Sequence, residues 1–154
     1  MNTVEPIRRL EDYHQHLLRL DPESRYLRFG YSISDHMIER FLSTIILEPE
    51  AHQIFAIYDG EDAVGIGHVS RVGVELAFSV LGTHRRQGIG NDLMAACLNW
   101  CREQGYVEGC MVCLSSNHTI RKLAARNGMI MQTEQGETLA KFRLDAGPAS
   151  DLAV

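Results

Sequence analysis

Seven consecutive residues, His84-Arg85-Arg86-Gln87-Gly88-Ile89-Gly90, carry the most concentrated chemistry in this chain. Two arginines offer fixed positive charge to phosphate oxygens. Glycines let a backbone approach an oxygen with no side chain between them. The following run, Asn91 to Trp100, has helical spacing. A helix start presents unpaired N–H groups and the positive end of its dipole. Main-chain N–H groups from Gln87 through Gly90, Ile89 included, with Arg85 and Arg86 beside them, are expected to cradle a phosphate-bearing cofactor. The plainer reading is a Gly-containing turn with surface arginines.

Glu75 is the second candidate. It is the only ionisable residue between Val72 and Gly82, in an otherwise apolar strand-like run. A carboxylate there is costly unless solvated, paired or used. Burial would raise its pKa towards the range of a general base. The competing reading is an outward-facing strand glutamate in a salt bridge.

Other reactive residues form weaker patterns. Cys97, Cys101, Cys110 and Cys113 superficially suggest zinc. Cys110 and Cys113 fall in an apparent strand, where residues three apart point to opposite faces, so buried thiols are expected and no metal. Cys113 is the candidate for a covalent relay, which requires exposure and a lowered pKa. The seven histidines include no H-x-x-x-H pair. His84 lies beside the loop, within reach of a phosphate, and His68 is a reserve base. Gly65-Ile66-Gly67 lies inside a strand, which excludes a dinucleotide fingerprint, and no Gly-Lys-Ser/Thr ending marks a P-loop.

These residues need elements to position them. A short strand is expected over Val4–Arg9 and a helix over Glu11–Leu20, with Asp21-Pro22-Glu23 as its end and turn. Ser34 caps a second helix reaching Leu47. His52–Tyr58 and Ala63–Ser70 form a hairpin around Asp59-Gly60-Glu61-Asp62. The Glu75 strand enters the loop, and a helix runs from Gly88 to about Gln104. Val107–Leu114 is a strand, and Ser116 or Asn117 caps a helix ending near Asn127-Gly128. Met129–Gln132 and Thr138–Arg143 make a last strand pair. The result is a mixed α/β (α+β) sheet with helices on its faces.

Length bounds this to one domain, residues 1–144, with a mobile tail at 145–154. The net charge of −5 disfavours non-specific nucleic-acid binding and permits attraction of a cationic amine. No apolar run approaches the ~20 residues that cross a bilayer. Met1–Pro6 lacks the basic and apolar regions of a secretory signal, so a cytoplasmic location is expected, with no membrane partner.

With its flanks, the loop resembles the GNAT family of N-acetyltransferases, whose acyl-CoA loop reads Arg/Gln-x-x-Gly-x-Gly/Ala between a central strand and a long helix. Arg85, Gly88 and Gly90 fill those places. The downstream Asn117…Asn127-Gly128-Met129 segment matches as well, and the family's order of elements can be followed over residues 4 to 144. The resemblance implies a single-domain, mostly antiparallel twisted sheet of six to seven strands with about four helices. It implies two parallel strands that splay around the cofactor's pantetheine arm. It implies acetyl-CoA as co-substrate and an amine-bearing small molecule or protein lysine as acceptor, with no nucleic acid. A homodimer is compatible with it.

By the same resemblance, the N–H of Val80, or of its neighbours Leu81 and Gly82, polarises the thioester carbonyl. Asn117 contacts the cofactor or simply caps its helix, and Arg121 and Lys122 could reach phosphates or be solvated. Glu75-Leu76-Ala77-Phe78 and the run Leu20–Phe29 resemble bacterial protein-lysine acetyltransferases, in which such a glutamate is the base. The acceptor cleft would be bordered by Tyr26, Phe29, Tyr31, Glu134 and Glu137, or these aromatics merely pack. A tyrosine that many members use to protonate the leaving sulfur is replaced here by Ala124. The implied activity is direct acetyl transfer to a primary amine. The alternatives are a non-catalytic acyl-CoA sensor and a cofactor-free interaction domain.

Overall fold

A computed structural model describes residues Asn2 to Leu144; Met1 and the tail expected at 145–154 lie outside the described residues. Seven strands form one sheet in the order β1-β2-β3-β4-β5-β7-β6. They are β1 (Glu5–Pro6), β2 (His52–Asp59), β3 (Asp62–Ser70), β4 (Glu75–Val80), β5 (Glu108–Leu114), β6 (Ile130–Glu134) and β7 (Glu137–Arg143). Every neighbouring pair is antiparallel except β4 and β5.

Five α-helices cover the sheet: α1 (Leu10–Arg19), α2 (Pro22–Phe29), α3 (Asp35–Leu47), α4 (Ile89–Glu103) and α5 (His118–Arg126). Along β3, alternate side chains address opposite faces. His68 meets Tyr13 of α1, whereas a Cβ on Gly67 would stand 2.9 Å from Cys97 Sγ of α4. A Cβ on Gly65 would collide with Ile89 Cγ2. The Gly65-Ile66-Gly67 run is therefore a packing device. It lets the first turn of α4 lie directly on β3, beside the end of β4.

Two expectations about elements change. The first strand is only Glu5–Pro6, because proline has no N–H for the ladder and confines the segment to the sheet edge. The Asp21-Pro22-Glu23 stretch starts a helix as well as ending one. Asp21 Oδ1 accepts from the Ser24 N–H at 2.7 Å, Pro22 occupies the first helical position, and Gly30 closes α2.

The remaining elements fall within a few residues of expectation. Ser34 Oγ accepts from the Met37 N–H at 3.2 Å and starts α3. The β4–β5 ladder consists of Glu75 opposite Cys110 and Leu76 opposite Met111. Both strands continue well past that point without pairing, so they diverge.

Candidate functional site

The loop between β4 and α4 sits at the mouth of this divergence. Gly88 is the N-cap of α4, with φ +75°, a left-handed conformation that glycine adopts without a Cβ penalty. No atom lies within 4 Å of where its Cβ would be, so the requirement is conformational rather than steric. The first helical hydrogen bond runs from the Asp92 N–H to the Gly88 carbonyl at 3.1 Å. The N–H groups of Ile89, Gly90 and Asn91 thus have no acceptor within the helix. Asn2 braces the loop from behind: its Nδ2 donates to the Gln87 carbonyl at 2.8 Å and to Asp92 Oδ2 at 2.9 Å.

A cleft of about 510 Å³ opens from this loop. Of the residues expected at the site, it is lined by Val80, Arg85, Arg86, Gly88, Ile89, Gly90 and Asn117. Arg28 and Arg126 also line it, and no aspartate or glutamate does. Four arginines and no carboxylate in the lining suit an anion. Gln87 and Gly82 lie outside the lining: Gln87 is exposed on the braced side, and Gly82 begins a short 3-10 turn. Arg121 is turned instead to the Ser115 carbonyl at 3.2 Å, and the cleft-lining arginine of α5 is Arg126.

The ladder selects among the three main-chain donors. Leu81 N–H donates to the Val64 carbonyl of β3 at 2.9 Å. Backbone groups alternate sides along a strand, so the Val80 N–H points the other way, towards the gap left by β5. Asn117 is buried and accepts from the Ile120 N–H at 3.3 Å, so it caps α5 while lining the cleft.

Glu75 lies outside the cleft lining. It stands at the closed end of the β4–β5 pair and is exposed, as the outward-facing reading has it and not the buried one. It has no salt-bridge partner among the described residues. It shares a sheet face with Ala77 and Ser79.

Other candidates are placed elsewhere. Tyr26, Phe29, Tyr31, Glu134 and Glu137 are outside the cleft lining, whose α2 side comes from Ser24, Leu27 and Arg28. Phe29 packs edge-on against Phe41. His84 lines the cleft and pairs with Asp59 at 2.8 Å. His68 is buried, bonded to Tyr13 Oη at 3.0 Å and to His52 at 2.9 Å, with desolvation holding its pKa down to about 3. It lies outside the cleft lining with both ring nitrogens bonded to Tyr13 and His52, so it is not placed as a reserve base there. Cys113 is buried and desolvation pushes its thiol pKa up, the opposite of what a nucleophile needs. Among the described residues, no three histidine, cysteine or acidic side chains cluster as metal ligands.

Arg28, Ser79 and Arg126 are among the cleft residues that sequence reasoning did not name. Arg28 donates to Tyr13 Oη at 3.0 Å. Ser79 is joined at 2.8 Å to Nε2 of His16, which is 1% exposed. Neither contact has a local signal, since the partners lie 15 and 63 residues apart.

The comparisons with known proteins agree with this geometry. The acetyltransferase (GNAT) family model matches residues 11–129. The chain belongs to the acetyltransferase (GNAT) family, and its class is that of the acyl-CoA N-acetyltransferases. No curated protein sequence matches it. Solved structures share its fold at low identity. The GNAT domain of S. lividans PAT superposes with a TM-score of 0.75 at 22% identity, covering 92% of this chain and 89% of that one. A ribosomal-protein-alanine N-acetyltransferase from Brucella melitensis gives 0.71 at 14% identity, over 92% and 99%. The PaiA N-acetyltransferase from Thermoplasma acidophilum, solved with coenzyme A, gives 0.67 at 12%, over 92% and 99%. Among the described residues, no helix is long and apolar enough to cross a membrane.

Proposed function

We propose that this protein transfers an acetyl group from acetyl-CoA directly to a primary amine, carried by a small molecule or a protein lysine. The observation that carries this reading is the set of helix-start N–H groups at Ile89, Gly90 and Asn91 opening on a cleft that carries four arginines and no carboxylate, beside two diverging strands. Arg85 and Arg86 supply charge for phosphates. Gln87, Gly88, Ile89 and Gly90 provide the backbone turn that grips a diphosphate. Gly82 spaces that turn from β4, and Asn117 borders the bound coenzyme. Acetyl-CoA, when bound, supplies an activated acyl group. The Val80 N–H is aimed to polarise the acyl carbonyl, a role a preorganised main-chain donor fills well.

Glu75 serves the acceptor before attack. An exposed carboxylate on the same sheet face as Ser79 accepts the proton that keeps the amine charged. It lies about 13 Å along the strand from Ser79, so water must bridge them. No metal is required by any step.

The test is thiol release from acetyl-CoA across a panel of amines and lysine peptides, together with calorimetric binding of CoA. Binding with turnover supports the reading. Tight binding without turnover across the panel points to the sensor alternative, and absence of binding removes both.

A further inference from the structure

An ammonium acceptor must lose two protons to become an amide, and Glu75 accounts for only the first. The second leaves nitrogen as the bond to the acyl carbon forms. The tyrosine often associated with proton traffic at this point is replaced by Ala124, which is itself buried in α5. No tyrosine lines the cleft.

The structure holds another group in position. His16 of α1 is buried, and both its ring nitrogens are bonded. Nδ1 lies 2.9 Å from the Ala63 carbonyl, and Nε2 lies 2.8 Å from Ser79 Oγ. A carbonyl can only accept, so Nδ1 carries the hydrogen. In the neutral ring Nε2 is then a bare acceptor, and the Ser79 hydroxyl must donate to it. The serine hydrogen is thereby committed, leaving oxygen lone pairs for the cleft that Ser79 lines. Ser79 also immediately precedes Val80, whose N–H faces the gap between the strands. Nucleophile-side oxygen, base and orienting carbonyl form a chain of the kind that moves protons.

We propose that Ser79 holds the attacking amine and, with His16 as its positioning partner, carries the amine's second proton. This rests on the acetyl-transfer reading above. The C–N bond forms as the C–S bond breaks. The nitrogen's proton passes to Ser79 Oγ while the serine's own proton passes to His16 Nε2. The pair then returns one proton to the departing sulfur. Amide and thiol leave, and serine and neutral histidine are restored with no further reactant. Burial, reinforced by the positive charge of Arg28 and Arg19, lowers the His16 pKa to about 4. The ring is therefore neutral and ready at ordinary pH, and it does not retain a proton.

The first test needs no ligand. Nitrogen-15 spectra of the imidazoles should show His16 protonated at Nδ1 and bare at Nε2, with the Nε2 signal displaced in Ser79→Ala. An Nε2-protonated His16 overturns the proposal.

The second test follows thiol release from acetyl-CoA with hydroxylamine, an amine small enough for any acceptor cleft. Ser79→Ala should lower kcat about 100-fold, the usual scale of general-base loss. The KM for acetyl-CoA should stay within about twofold of wild type, and Ser79→Thr, which keeps the hydroxyl, should recover most of the rate. A Ser79→Ala kcat within about threefold of wild type, or a loss seen only in KM, overturns the proposal while leaving acetyl transfer intact. A wild-type chain that binds acetyl-CoA yet releases no thiol above the uncatalysed rate, with hydroxylamine or with any amine or lysine peptide of the panel, overturns the acetyl-transfer reading and this proposal together.

Discussion

Gly88 shows how much rests on single residues. Its Cβ position is open, but its φ of +75° is one that β-branched residues resist. Gly88→Val should cost about 1–2 kcal/mol in stability through backbone strain, and should weaken CoA binding by reshaping the turn. Gly88→Asn, which tolerates this conformation better, should retain more of both. Calorimetric CoA titration and urea unfolding of the two variants check this. Asn117→Ala should lose about 1 kcal/mol because the α5 cap disappears, whereas Asn117→Asp keeps an acceptor oxygen and most of the stability. Glu75→Gln should reduce turnover with little change in CoA affinity. Full activity of that variant at neutral pH would remove Glu75 as base.

The phosphate loop is legible at this scale because glycines, arginines and a helix start are local features. Ser79 and His16 are not, because only the folded sheet brings β4 against α1. The same is true of Asn2 behind the loop, joined to residues more than 80 positions away. The choice between a buried and an outward-facing Glu75 stays open in the sequence for a related reason. An apolar run shows where a strand is, and not how far its first residue extends beyond the covering helices.

At the scale of elements, α2 is the instructive case. Its start and stop signals, Asp21-Pro22 and Gly30, are present in the sequence, but none of its residues is buried. Its apolar residues Tyr26, Leu27 and Phe29 are exposed or only half-buried, so burial does not mark it as it marks the longer helices. Beside the Phe29–Phe41 contact and the Arg28–Tyr13 bond, it is held by Arg25, whose guanidinium donates to the carbonyls of Leu18, Leu20 and Ile33 and pairs with Asp35 at 2.8 Å. Three backbone carbonyls at the α1 end and before α3 depend on one side chain. Arg25→Ala should cost about 2 kcal/mol in urea unfolding, and Arg25→Lys should recover little, since an ammonium cannot fork across several acceptors. Because Ser24, Leu27 and Arg28 form one wall of the cleft, Arg25→Ala should also raise the KM for the acceptor. The strands and the longer helices are legible because each buries a periodic apolar face. The length of the β4–β5 ladder is not, since pairing ends through divergence rather than through any residue type.

The whole molecule carries a pH signature from its buried imidazoles. His16 and His68 have pKa values of about 4 and 3, depressed chiefly by desolvation. The unfolded chain returns each to about 6.5. Below that value the unfolded state binds more protons, so stability falls as pH drops. The contribution is complete above about pH 6.5 and is lost progressively down to pH 4 for His16 and pH 3 for His68. For His16 alone this is on the order of 3 kcal/mol. Melting temperature measured from pH 7 to pH 4 should fall steadily, and His16→Gln should flatten part of that slope.

The central claim is that the start of α4 grips a diphosphate with main-chain hydrogens. A nitrogen–proton spectrum recorded during titration with coenzyme A tests it most directly. The backbone signals of Gly88, Ile89, Gly90 and Asn91 should shift furthest and saturate together. Saturation with those four signals unmoved, or with the largest shifts on another face, would contradict the account.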